Sequence, residues 1–457
     1  MKLTTVRPIF LALLVAIAAP VRAEAPLAQR LDAALAPMFK PNAPGATVIV
    51  VKDGVPVLRK GYGLADVDAG TPLQADMQLR LGSITKQFTA VAILMLAEQG
   101  KLTLQDDVTR LLPDYPTRGQ RITIAQLLQH TAGLPSYTNM FSFAMVEDKD
   151  KSVQQVIDFF KDDALDFTPG ERWAYSNSGY VLLGAIIEKA SGLSYADFIA
   201  QNIFEPLGMR DTAYEGHERS AKRRVTGYRA GILGGYRAAP EISMALPYAA
   251  GGVVSTVDDL ARWDAAISAG KLLTAESWQQ AFTPCRLPGG GKCTYGYGWL
   301  TGSLRGHRML SHGGDISGFN SQAIRLPDDK VFVAVLSNGS RSVVNIDRAA
   351  FTAAAMAAGD PFPPQRAIPM AKLALAAFAG SYRMADSGMR TISFDGGGLR
   401  FERRGRPGAG LRPYAVDKFF VEGSLSTLDF MRGPDGAVTG FVLHGTYGDE
   451  SAQRVLN

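Results

Sequence analysis

Apolar residues at Ile84, Phe88, Val91, Ala92 and Met95 recur with helical spacing in a run that follows Gly82 and stops at Gly100. Ile93, Leu94, Leu96 and Ala97 fill the remaining faces, so the run predicts a helix sunk in a core. Ahead of it, residues 27–39 carry a helical pattern ended by Pro41. Residues 46–51 and 56–61, joined across Asp53-Gly54, read as a two-stranded hairpin. Behind it, Thr123 with Gln126 and Ser152 with Gln155 are spaced as capping boxes for two further helices. Between them, the polar and irregular stretch 136–151 is expected to be a loop on one wall of a cleft. Thr168-Pro169-Gly170 predicts a turn, and 180–190 predicts an apolar helix stopped by Gly192. Ser255 or Thr256 is placed to cap a helix through Ala266, with Asp258 and Asp259 in its first turn.

From Tyr295 the period changes. Residues 295–300, 307–311, 320–326 and 331–337 read as strands, with a turn at Pro327-Asp328-Asp329, and 343–358 reads as a last helix. Helix and strands at both ends of a helical middle predict an α/β domain with an all-helical insertion. Asp360-Pro361-Phe362-Pro363-Pro364 punctuates the chain. Beyond about residue 371, short alternating stretches such as 391–394, 399–402 and 440–443 are broken by glycines. They predict a small antiparallel β domain, a barrel or a sandwich. The expected organisation is a leader over 1–23, a main domain over 24–359, a proline-rich linker over 360–370 and the β domain over 371–457.

Composition adds a compartment. The chain has 457 residues, 46% of them hydrophobic, enough for a large core. Lys2 and Arg7, an apolar run over 9–19 and then Val21-Arg22-Ala23 form a secretory signal peptide with cleavage expected before Glu24. The run is short for a bilayer span, and no later stretch predicts one. The reading is an exported soluble protein, periplasmic, with no membrane span once the leader is removed. Of the formal net charge of +5, Lys2, Arg7 and Arg22 supply three, leaving +2 and no basic footprint for nucleic acid. Cys285 and Cys293, the two cysteines, could close a small loop in an oxidising compartment, or stay as two thiols. They have no zinc-site partners nearby, so neither metal nor cofactor is expected.

The helix that opened this description also carries chemistry. Ser83 and Lys86, three apart at its N-terminal end, should stand one above the other. A serine hydroxyl needs a base to become a nucleophile, and a lysine serves as one when burial lowers its pKa. Ser268-Ala269-Gly270-Lys271 repeats the pattern at what reads as a helix end, so partners must decide between the two.

Those partners are Tyr175-Ser176-Asn177 and His312-Gly313-Gly314. With His130-Thr131-Ala132-Gly133-Leu134-Pro135, Glu205-Pro206-Leu207-Gly208-Met209, Ala250-Gly251-Gly252-Val253 and Gly313-Gly314-Asp315-Ile316-Ser317-Gly318-Phe319, they occur in one order. The stretch 46–358 thereby closely resembles the serine hydrolase family of class C β-lactamases, D-alanyl-D-alanine carboxypeptidases, D-aminopeptidases and related esterases. The resemblance implies a β-lactamase/transpeptidase-like domain, an antiparallel sheet flanked by helices with the helical insertion. It makes Ser83 the acylated nucleophile, Lys86 the group that takes or shares its proton, and Tyr175 the relay to the leaving group. Tyr175 could act as an anion beside a cation, or as a neutral relay. Tyr137-Thr138-Asn139 is a second Tyr-x-Asn, placed before the helix-rich segment. Asn177 would bond Lys86 or the substrate amide, or cap the helix that follows. The implied oxyanion hole is the backbone N–H of Ser83 with that of Asp315.

His312, expected to end an edge strand, departs from the lysine usual in the β-lactamases, while Gly313 and Gly314 would let a substrate backbone approach. A peptidase, amidase or esterase is therefore expected ahead of a β-lactamase, with a small molecule or a peptide as substrate. A protein of this fold that binds without turnover is the reading from another class. His130, His217, His307 and His444 read as structural, and the pattern specifies no oligomeric state. The family also offers a parallel for the last domain, which begins near Phe378-Ala379-Gly380-Ser381-Tyr382.

Overall fold

Strands that are apolar at consecutive positions need cover on both faces, and Ala46–Lys52 shows how the chain provides it. The computed structural model of the protein describes residues 25–140, 151–217, 225–291, 293–385, 388–403 and 407–455. The expected leader 1–23 and most of the expected loop at 136–151 lie outside them. Ala46–Lys52 belongs to a six-stranded antiparallel sheet ordered Leu300–Leu304, His307–Ile316, Phe319–Leu326, Val331–Ser337, Ala46–Lys52, Val55–Tyr62. Val48, Val50, Val333 and Val335 point to one side, where the helices Leu27–Leu35 and Ile346–Ala358 pack. Ile49, Val51, Ala334 and Leu336 point to the other, into a larger helical core.

That core is built around Thr85–Glu98, Asn177–Ser191 and Val257–Ser268. Both expected capping boxes are formed, at Thr123 and at Ser152, and Thr256 rather than Ser255 caps the helix that follows it. The helix expected from Tyr180 starts at Asn177 instead. Its cap is Ser176, so Asn177 lies inside the first turn and is not the N-cap. Its side chain is thereby released for other work. The strand expected over 295–300 lies over Leu300–Leu304 instead, with Tyr295 touching it through one isolated bridge.

The outer strand Leu300–Leu304 pairs only as far as Leu300 opposite Ser311. The next strand continues to Ile316, so from His312 onward this outer pairing has ended. His312 consequently lies in mid-strand, not at the strand end expected for it. Its inner pairing places Gly313 opposite Gln322, Gly314 opposite Ser321 and Asp315 opposite Asn320.

A small sheet of Leu79–Arg80, Val253–Ser255 and Ala213–Tyr214 leads the chain into the turn Gly82–Ile84. That turn lies against the long strand, and glycine is what permits it. A Cβ on Gly314 would stand 1.9 Å from the carbonyl oxygen of Leu81, which Ser321 Oγ bonds at 2.6 Å. Gly82, at φ +53, brings its own backbone beside Asp315. The close approach expected of a substrate at Gly314 is thus taken by the protein's own chain.

Residues 360–371 contain neither helix nor strand. Arg305 grips Asp360 with two bonds of 2.8 and 2.9 Å, and Gln365 Nε2 bonds the Ser424 carbonyl at 2.5 Å. Eight antiparallel strands from Gly380–Met384 to Gly448–Val455 then close into a barrel, its last strand pairing with its first. Closure leaves no free edge, and Phe378, Tyr382, Phe419, Phe430 and Phe441 fill the interior. Leu425 and Tyr447 reach back to the main domain, the latter with its ring 5.3 Å from Phe351. Cys285 and Cys293 are joined in a disulfide, Cα atoms 5.5 Å apart. Among the described residues no helix is long and apolar enough to cross a membrane.

Gly314→Ala is expected to destabilise the protein by about 1–3 kcal/mol, the usual cost of overpacking, and to lower activity by pushing the Ser83 turn off the strand. Thermal unfolding checks this, and an unchanged midpoint would show that the contact yields freely.

Candidate active site

The Thr85–Glu98 helix is apolar on most faces and buried over most of its length, and this carries Lys86 into the interior at 0% exposure. Its Nζ lies 3.1 Å from Ser83 Oγ, 2.7 Å from Asn177 Oδ1 and 2.8 Å from the Ala250 carbonyl oxygen. The rings of Tyr175 and Tyr180 flank it at 4.8 and 5.3 Å. Burial holds the Lys86 pKa well below the usual lysine range.

The three contacts have an order to them. Asn177 Nδ2 donates to Thr138 Oγ1 at 3.0 Å, which turns Oδ1 toward the lysine. A carbonyl and an amide oxygen can only accept, so two N–H groups of the amine point at Asn177 and Ala250. A neutral amine has two such groups and one lone pair, and the lone pair is left for the Ser83 hydroxyl. An ammonium could donate to all three partners, so it is burial that selects the neutral amine.

Ser83 stands in the turn that feeds the helix, where backbone N–H groups have no partner in the preceding turn. The Gly82 contact brings Asp315 N beside the turn that carries Ser83, and Ser83 and Asp315 line one cavity. Tyr175 closes the other side. Burial pushes its phenol up, while the Ser83 hydroxyl eases ionisation only in part, so Tyr175 stands protonated. Its hydroxyl has no hydrogen-bond partner of ordinary geometry among the described residues.

A layer of aromatic rings sets the position of Tyr175. His130 packs on it with ring centres 4.3 Å apart and accepts the Ser176 N–H through Nδ1 at 3.2 Å. His130 is thus buried as a structural histidine, immediately behind the site. Tyr295 stands over both rings, at 4.5 Å from His130 and 6.2 Å from Tyr175.

His312 does not fill the substrate-facing part expected of it. It is 3% exposed, and its Nδ1 lies 2.6 Å from the Gly313 carbonyl oxygen, which must accept. Nε2 is left to receive the Tyr295 O–H at 2.8 Å. Both nitrogens are used, and burial pushes the pKa down to about 3. A neutral, enclosed imidazole cannot attract a carboxylate, and its contacts make it a support for Tyr295. Gly313 and Gly314 likewise pack against Gln322 and Leu81.

The remaining candidates fall away from the centre. Ser268 is exposed at a helix end, where its Oγ accepts from Arg325. Tyr137 borders the same cavity as Ser83, but it is enclosed and its hydroxyl is taken by the Leu246 carbonyl at 2.5 Å. Among the described residues no group of three His, Cys, Asp or Glu side chains is placed to hold a metal ion.

Outside the Ser83 hydroxyl lies a cavity of about 440 Å³, whose wall includes Thr138, Asn177, Arg229, Gly251 and Asp315. Ala250, Thr138 and Tyr295 were not singled out individually by the sequence, although Ala250 belongs to a motif that was noted. Arg229 had no signal of its own.

The family model described as Beta-lactamase matches residues 27–357. Penicillin-binding protein 4* of Bacillus subtilis (strain 168) is 32% identical over 428 residues, 89% of this chain and 94% of that one. The octameric penicillin-binding protein homologue from Pyrococcus abyssi superposes with a TM-score of 0.66 at 27% identity, over 93% of this chain and 99% of its own. The D-amino acid amidase from Ochrobactrum anthropi SV3, complexed with L-phenylalanine amide, does so with a TM-score of 0.62 at 26% identity, over 72% and 98%. A Ser-Lys pair with its lysine buried, in this fold and matched across nearly the whole main domain, places the chain in the beta-lactamase family of serine hydrolases.

Proposed function

We propose that the protein is an exported hydrolase that cleaves an amide or ester of a D-amino acid substrate through an acyl-Ser83 intermediate. The observation that carries this reading is the fully buried Lys86 Nζ standing 3.1 Å from Ser83 Oγ, with Asn177 and Ala250 as its other partners. In the first step Ser83 Oγ attacks the carbonyl carbon while its proton passes to Lys86 Nζ. The resulting oxyanion is held by the N–H groups of Ser83 and Asp315, a kind of contact worth about 3 kcal/mol per donor. Lys86 then returns the proton through the Tyr175 hydroxyl to the departing nitrogen or oxygen, and the C–N or C–O bond breaks. Water repeats the sequence on the acyl ester, giving its proton to the same pair and releasing Ser83. The amidase among the similar structures supports the D-amino acid preference. The neutral, enclosed His312 supports ranking a β-lactamase below an amidase, peptidase or esterase.

An uncharged fluorophosphonate is expected to label Ser83, with the adduct mapped by mass spectrometry and absent in Ser83→Ala. Folded protein that carries no adduct would remove the covalent mechanism. Lys86→Arg keeps the charge but cannot yield a base, so it should lose activity as far as Lys86→Ala does, by about 10²–10⁴-fold. Retention of activity in the arginine variant would mean that the cation, not the base, is what matters. Lysine ionises near ~10.4 when unperturbed, and burial lowers Lys86. The active neutral form therefore persists below that pH, and kcat/KM should fall only as pH drops through the lowered pKa. Export is checked by the mature N-terminus, expected at Glu24 in a periplasmic fraction.

A further inference from the structure

Two charged side chains, Arg229 and Asp315, stand on the wall of the cavity outside Ser83 among the described residues. Their situations differ. Asp315 has Arg341 at 3.7 Å, and Arg341 is itself bonded to Asp347 at 2.8 Å. The Arg229 side chain has no ion pair or hydrogen bond to any described residue, and its Nε is buried without a partner. The charge left uncompensated in the cavity is therefore positive.

Arg229 is also held in place. It lies in the short strand Tyr228–Ala230, paired with Tyr236–Ala238. Tyr228 next to it is buried, with its N–H shared between the carbonyls of Asn338 at 2.8 Å and Gly318 at 3.2 Å. The Tyr228 carbonyl accepts from Ser340 N at 2.8 Å, and its hydroxyl accepts from Val67 N at 2.8 Å. Ala239 N bonds the Gly227 carbonyl at 2.8 Å across the base of the same hairpin. Gly318 lies in the two-residue turn after the strand that carries Asp315, so the arginine and the backbone of Asp315 share one frame. The backbone that carries Arg229 is thus fixed, its guanidinium donors are left for a ligand, and a carboxylate matches their planar fork.

We propose that Arg229 is the anchor for a carboxylate on the substrate of Ser83 and so sets the preference for anionic substrates. The proposal rests on the acyl-serine reading above. The site that His312 does not provide is supplied by the hairpin that carries Arg229.

The test uses the intact protein and two pairs of D-alanyl depsipeptides. Within each pair the members differ only in a carboxylate or its carboxamide, on the leaving-group side in one pair and on the acyl side in the other. Wild type should favour the carboxylate member of at least one pair by about tenfold or more in kcat/KM, mainly through KM. Arg229→Gln should abolish that preference and leave the neutral member within about twofold, while Arg229→Lys keeps part of it. Equal rates within both pairs in wild type, or an equal fall of both members in Arg229→Gln, would overturn the proposal. Should no depsipeptide turn over, protection of Ser83 from the uncharged fluorophosphonate by N-acetyl-D-alanine is compared with protection by its amide. Stronger protection by the acid, lost in Arg229→Gln, supports the anchor, and equal protection overturns it. Folded protein that is not labelled at Ser83 defeats the acyl-serine reading itself, and the anchor with it.

Discussion

Placing a lysine where water cannot reach it is the constraint from which the rest of this site follows. An isolated ammonium in an apolar interior is costly enough that the group gives up its proton instead. The deprotonated amine still has two N–H groups to satisfy, and they are met by Asn177 from one helix and Ala250 from the end of another. Three elements far apart in the chain must therefore dock correctly before Lys86 has a lone pair to offer. Core packing and nucleophile activation are the same event here.

The second tier works through shape and through protons that do not move. His130, Tyr295 and His312 are enclosed, and the two histidines are held neutral by burial. Two charged imidazoles beside Lys86 would compete with it for the proton and repel its charged form. Kept neutral, they serve as rigid polarisable walls that hold Tyr175 against the Ser83 hydroxyl.

Much of this was legible in the sequence because it depends on local patterns. Ser83 and Lys86 are three residues apart on a helix, and the apolar residues around them announce burial. The capping boxes at Thr123 and Ser152 and the β period beyond residue 371 are likewise written in neighbouring residues. What was not legible depends on register and on which way a side chain turns. One residue of register separates Ser311, which faces away from the helical core, from His312, which faces into it, and no motif says which nitrogen will find Tyr295. Asn177 could be expected to bond Lys86 or the substrate amide, or to cap the helix before Tyr180, and only the start of the helix at Asn177 settles it on Lys86. Arg229 sits in a glycine-rich stretch without period, so its place on the cavity wall comes entirely from how the hairpin is tied to Asn338 and Gly318.

The sheet itself has an evolutionary consequence. Adjacent residues of one strand, such as Val48 and Ile49, belong to two separate cores, one against the terminal helices and one against the catalytic helices. Leu425 of the barrel joins the first of these, while the cavity opens from the second. Substitutions on the catalytic side are expected to cost little packing on the side where the barrel is moored. A lineage can therefore exchange substrates while inheriting the same appended domain.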